Sequence, residues 1–182
     1  AAKALQFPNA FGLTVRYAMK ALPTRAILQL FDRLGLQFDC SSSYEVLRAL
    51  NAGIYPRKIL LTTQQTPRHL DDLLKRRVKY TTTSLSQIEA AGQAAPGKMI
   101  SLRLNPGLGS GANGKVNVGG PQSSFGIWYE YIPQVKKILK KYNLKVSRIH
   151  THIGSGADPA VWQEAARLSL RCATTPGLRP GG

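Results

Sequence analysis

Short apolar, β-prone runs alternate along this chain with longer amphipathic stretches of helical period. The pattern predicts strands over residues 13–19, 36–41, 58–63, 78–83, 99–105 and 147–153. Helices are predicted over 24–34, 43–52, 67–75, 84–94, 131–142 and 158–171. Gly53 stops the second helix, and Ser84 with Gln87 forms a capping box at the start of the fourth. Asp158 caps the last helix, with Pro159 at its first position. Strands recur about every 20 residues, which suits βα units with short loops. The exception is a glycine-rich insertion over 106–128, placed where long ordered loops tend to carry function.

Six βα units with parallel strands permit an open doubly wound sheet or part of a (β/α)8 barrel. The open sheet places a glycine-rich phosphate loop after its first strand. Here that position holds Lys20-Ala21-Leu22-Pro23, so the expected fold is α/β, a parallel TIM-type (β/α)8 barrel that is incomplete at about six units. Residues 1–173 are expected to form this partial barrel domain and 174–182 an irregular tail. The absent initiator methionine and the pattern-free ending lead us to expect a chain cut at both ends.

Composition agrees with a globular protein: of 182 residues, 43% are hydrophobic and 19% charged. No apolar run could span a bilayer and no signal peptide is recognisable, so no membrane association is expected. Two cysteines, Cys40 and Cys172, make no disulfide framework, which fits a cytoplasmic setting. The net charge of +16, from 25 basic and 9 acidic residues, raises nucleic-acid binding as a rival reading. The dense clusters, Lys75-Arg76-Arg77 with Lys79 and Lys136-Lys137 with Lys140-Lys141, lie on predicted helices or their ends, where a solvated face explains them. No nucleic-acid-binding motif accompanies them, so nucleic acid is not the expected partner.

Chemically useful residues gather at the C-terminal ends of the predicted strands: Lys20, Asp39, Ser41, Glu45, Arg103, His150, His152 and Ser155. In a parallel barrel these ends converge on one mouth. A lysine amine there can capture an aldehyde cofactor, and arginine and histidine can hold an anionic aromatic ring. Each residue alone has a plainer explanation. Asp39 and Glu45 can cap the second helix, Arg103 can pair with a carboxylate, and one of His150 and His152, which share a strand face, can be a packed core histidine. No further ligands accompany the two histidines at zinc-site spacing, so no metal is expected. Gly154-Ser155-Gly156 is not a hydrolase nucleophile elbow, but its glycines let backbone approach a phosphate.

Taken together, four segments resemble the fold-type III pyridoxal-phosphate decarboxylases of basic amino acids, above all the diaminopimelate decarboxylases, over about residues 11–170. Tyr17-Ala18-Met19-Lys20-Ala21 resembles the family's Schiff-base lysine motif, and Phe38-Asp39-Cys40-Ser41-Ser42-Ser43-Tyr44-Glu45 the segment after its second strand. Leu102-Arg103-Leu104-Asn105-Pro106, then Gly119-Gly120 to Phe125-Gly126-Ile127, resembles the arginine strand and its glycine-rich loop. His150-Thr151-His152-Ile153-Gly154-Ser155-Gly156 resembles the ring-stacking histidine and phosphate-binding serine. Ser124 departs from the lysine that many relatives carry before Phe-Gly.

The resemblance implies pyridoxal 5'-phosphate as cofactor, Lys20 and His152 as catalytic residues, and Asp39, Glu45, Arg103 and Ser155 as further cofactor contacts. It implies decarboxylation of meso-diaminopimelate to L-lysine by a homodimeric parent enzyme acting on a small amino-acid substrate. The alternatives are an ornithine, arginine or carboxynorspermidine decarboxylase on the same scaffold, or a non-catalytic truncated relative that binds a partner. The family's triple-glycine loop, pyridinium-pairing glutamate and C-terminal β-domain are not recognisable, so the chain alone is expected to be inactive.

Overall fold

A computed structural model of the chain describes residues 3, 6, 12, 14–105, 107, 125–152, 154 and 158–180. The chain divides into two compact units, residues 1–63 with 67–80, and residues 64–66 with 81–182.

In the first unit, β1 (Arg16–Ala18) ends in a 3-10 turn, Met19–Ala21, that carries Lys20. Helix α1 (Arg25–Arg33) follows, then β2 (Gln37–Cys40), α2 (Ser43–Asn51) and β3 (Ile59–Thr62). The strands run parallel in the order β1, β2, β3, with Ala18 opposite Asp39 and Asp39 opposite Leu60. Phe38 and Cys40, on one face of β2, and Ile59 and Leu61 of β3 are fully buried. Ser42 caps α2 by accepting from the Glu45 N–H. Helix α3 (Leu70–Lys75) starts three residues later than the apolar pattern predicts, because His69 sits in the left-handed region at φ 54° and cannot be helical. Two charges of the first basic cluster are met locally: Lys75 pairs with Asp71 and Arg76 with Asp72, one helical turn apart.

Strand β4 (Lys79–Thr82) bridges the division, and its last two residues, Thr81 and Thr82, pair in parallel with β5 (Met99–Asn105) in the second unit. Between them, α4 (Leu85–Ala94) has the predicted Ser84 cap, accepting from the Gln87 N–H. The Gln87 carbonyl reaches back one residue further than a standard capping box and accepts from the Thr83 N–H at 2.8 Å. Helix α4 packs on α5 (Ile132–Lys141), which Tyr142 terminates. A Cβ at Gly92 would lie 2.3 Å from the Tyr142 ring, so a side chain there would force the pair apart, a cost of about 1–3 kcal/mol. Lys141 of the second basic cluster bonds Glu89 across this pair.

The second unit differs from the sequence pattern in two places. The insertion ends in a short strand, β6 (Ile127–Trp128), where no strand is predicted. It pairs with the end of β5, Leu104 opposite Ile127 and Asn105 opposite Trp128. Strand β7 (Lys145–His150) begins two residues before the predicted start and stops three before the predicted end. It pairs with β5 from Met99 to Arg103, with a register shift after Ile100 that leaves Ser147 as the extra residue. That register ends at Arg103 opposite His150, and the next two residues of β5 pair with β6. Helix α6 (Pro159–Thr174) is capped by Asp158 and runs three residues past its predicted end. Beyond it, Leu178 is fully buried. Among the described residues all pairings within the two units are parallel, the arrangement of a (β/α) barrel wall.

Candidate active site

In the first unit the structure brings Lys20, Asp39, Ser41 and Glu45 to the C-terminal ends of β1 and β2. Lys20 is exposed, on the turn that β1 enters, and the adjacent Met19 is buried against Cys40, with its sulfur 3.3 Å from the Cys40 thiol. The lysine is thus held at its backbone while its amine faces solvent. Glu45, in the first turn of α2, accepts from the Ser41 N–H at 2.7 Å and from the Ser41 hydroxyl at 3.2 Å. This ties the β2–α2 loop closed. Asp39 is half-buried and accepts from the Thr62 hydroxyl on β3 at 3.3 Å. Burial raises the Asp39 pKa above the ordinary carboxylate value, against the Thr62 hydrogen bond and the cations Arg16 and Lys20, which lower it; Glu45 adds to the rise. Sequence reasoning missed Thr62. Its signal was a hydroxyl at the C-terminal end of the strand beside that of Asp39.

In the second unit Arg103, His150 and His152 come together. Arg103 is buried near the end of β5, 8% exposed, and stands opposite His150 in the parallel register. The Nδ1 of His150 is buried with no hydrogen-bond partner among the described residues, as is one terminal nitrogen of Arg148. The His150 pKa is pushed down to about 4, first by burial and then by the positive charges of Arg103, His152 and Arg148. This imidazole is therefore neutral at pH 7. His152 lies two residues beyond the strand and is exposed. Phe125, quoted in the sequence only as part of a motif, places its ring 5.4 Å from the Arg103 guanidinium carbon. Ser155 and Gly156, most of the glycine-rich insertion including Ser124, and Gly181-Gly182 lie outside the described residues.

The sequence model of the pyridoxal binding domain of pyridoxal-dependent decarboxylases matches residues 1–175. The chain belongs to this family. The diaminopimelate decarboxylase of Escherichia coli K12 is 34% identical over 165 residues, covering 86% of this chain and 39% of the relative. That of Streptomyces coelicolor is 34% identical over 149 residues, covering 79% and 34%. A crystal structure of a diaminopimelate decarboxylase superposes with a TM-score of 0.80 at 33% identity, covering 87% of this chain and 39% of that one. A Helicobacter pylori diaminopimelate decarboxylase mutant complexed with L-lysine gives a TM-score of 0.77 at 26% identity, covering 88% and 43%. The chain spans about two-fifths of the length of these relatives. The matched structures confirm the expected architecture: parallel α/β, the first part of a TIM-type barrel.

The family's cofactor is pyridoxal phosphate. The donor set fits it. An exposed amine at a strand end suits an aldehyde, and a half-buried carboxyl stands beside that amine's strand. The second unit offers a buried guanidinium, and a buried imidazole nitrogen there is still without a partner.

Proposed function

We propose that this chain is the pyridoxal phosphate-binding part of a diaminopimelate decarboxylase, whose protein converts meso-diaminopimelate to L-lysine as a homodimer. The observation that carries the reading is Lys20, in the family's lysine motif, exposed on the turn after β1 with its backbone anchored by buried Met19. The bound cofactor would supply the electron sink for loss of the carboxylate.

The chain's own residues would do the rest. Lys20 presents the amine that captures the aldehyde, and it stays solvent-accessible for exchange with a substrate amine. Asp39, beside it on the neighbouring strand, places a carboxyl near that amine, with Thr62 fixing its orientation. Glu45 holds the loop after β2. His152 is assigned the ring face and Ser155 the phosphate, both residue by residue from the family motif. Arg103 contributes a fixed, buried cation.

The reading is tested by reducing the chain with borohydride in the presence of pyridoxal phosphate and mapping the modified peptide. The expected product carries the pyridoxyl group on Lys20, and Lys20→Ala loses it. For the substrate, the chain is joined to the remaining C-terminal part of the Escherichia coli relative and assayed for carbon dioxide release. Activity on meso-diaminopimelate that depends on Lys20 is expected. Release from ornithine or arginine instead would reassign the substrate.

A further inference from the structure

The residue before the short strand β6 is held against Arg103 at unusually close range. Gly126 has φ +82°, a conformation that favours glycine. A Cβ there would stand 3.2 Å from the Arg103 carbonyl oxygen, 3.3 Å from its Cγ and 3.3 Å from the Asn105 nitrogen. The parallel pairing of Leu104 with Ile127 fixes this approach through the backbone. One residue earlier, the Phe125 ring lies over the guanidinium, its centroid 5.4 Å from Cζ. Arg103 is therefore closely approached from two sides: a side chain at residue 126 would crowd its stem, and an aromatic face lies over its head. A ring at this range attracts a cation by about 0.5–1 kcal/mol when exposed and about 2 when desolvated. Arg103 is buried, while Phe125 is 37% exposed, so the ring covers the guanidinium from the solvent side.

We propose that Phe125 and Gly126 are positioning residues: they clamp the Arg103 guanidinium in one orientation beside His150. A long arginine side chain otherwise keeps about 2 kcal/mol of rotamer entropy. Holding it in advance lets the protein present a fixed cation without ordering one when ligand binds. The inference rests on the proposed decarboxylase role only for what Arg103 does toward the cofactor. The clamp itself is tested without cofactor, so failure of Lys20 labelling and failure of the clamp are separate results.

The reporter is His150, which stands opposite Arg103 in the ladder. The charged groups acting on it are Arg103 on β5, Arg148 on β7 and His152 beyond β7. Imidazole NMR titrations of the whole chain are recorded for the parent, Phe125→Leu, Phe125→Met, Phe125→Tyr, Gly126→Ala and Arg103→Gln, with His69→Gln to simplify assignment. With the clamp loosened, the cation moves away, and the His150 pKa should rise by about half a unit to one unit in the Leu, Met and Ala variants. Phe125→Tyr, which keeps a ring, should leave it in place. In an Arg103→Gln background the Phe125 substitutions should have no further effect. A Phe125→Leu shift that persists without Arg103 would mean that the ring only keeps water from His150, and the clamp would be overturned. An unchanged His150 titration in Phe125→Leu and Phe125→Met would overturn it equally.

Discussion

The two units surround their candidate residues differently. In the first unit the two candidate carboxylates accept from hydroxyl or amide donors of their own loop or the next strand: Glu45 from Ser41, Asp39 from Thr62. The reactive amine of Lys20 stays in solvent. In the second unit the groups are cationic or potentially cationic, and burial governs them. Arg103 is buried, and the His150 Nδ1 and one nitrogen of Arg148 have no partner among the described residues. Burial favours the neutral form in both: it raises the Asp39 pKa against the Thr62 hydrogen bond, and with the neighbouring positive charges it keeps the His150 imidazole neutral. The first unit suits capture of an aldehyde by an accessible amine, and the second would suit contact with an anionic aromatic group through its cations.

The sharpest way to break the contrast is at Lys20. Lys20→Ala should abolish borohydride-fixed pyridoxal label, while Arg103→Gln should weaken cofactor retention and leave the site of labelling unchanged. Label on another lysine, persisting in Lys20→Ala, would move the reactive amine out of the first unit.

A smaller effect separates the two histidines. His152→Ala should weaken pyridoxal phosphate retention by about 3- to 10-fold, the worth of one stacking face. His150→Ala should weaken it less. Equilibrium dialysis of both variants checks this, and the reverse order would shift the ring-facing role to the strand residue.

The halves should also respond oppositely to acid. The folded His150 pKa is about 4 against an ordinary 6.5, so between these values the unfolded chain takes up a proton that the folded chain refuses. Stability supplied by the neutral form is therefore lost as pH falls from 6.5 toward 4. Asp39 runs the other way: its folded pKa lies above the ordinary 3.8, so its burial penalty is absent in acid and appears as pH rises through the folded value. Urea midpoints measured from pH 4 to 7 should fall toward acid in the parent chain and fall less in His150→Gln. A His150→Gln curve parallel to the parent would show that this imidazole does not govern the slope.

The smallest effect is at Thr62. Thr62→Val removes one hydrogen bond to a carboxylate, about 1.5–3 kcal/mol for a charged acceptor at most and less for a half-buried one. It should raise the Asp39 pKa further, read by carboxyl-carbon NMR.

Much of this was legible in the chain. The strand β5 was predicted at its observed bounds, because five apolar or small residues, Met99, Ile100, Ser101, Leu102 and Leu104, lie close together between Gly97 and Pro106. The caps at Ser84 and Asp158 are local chemistry, set by side-chain oxygens reaching amides two or three residues on, whereas the cap of α2 is Ser42 and not Asp39 or Glu45, the residues the sequence offered. Lys20, Asp39 and Arg103 were recognisable because they follow or end apolar runs in motifs with fixed spacing. The illegible parts depend on partners distant in sequence. β6 has only two residues, too few for a period, and exists because β5 offers it two positions past the end of its register with β7. The same limit on that register stops β7 at His150 and leaves His152 beyond the strand.

The sequence by itself determined the order of strands and helices apart from β6, the parallel βα character, the caps at Ser84 and Asp158 and the identities of the residues at the strand ends, because each is decided by neighbours within a few positions. Which of those residues is buried, neutral or gripped was decided by tertiary structure. His150 and His152 are nearly identical as sequence, two histidines one residue apart. They differ in the fold because β5 runs beside one of them and not the other, and burial next to Arg103 is a property of that adjacency alone.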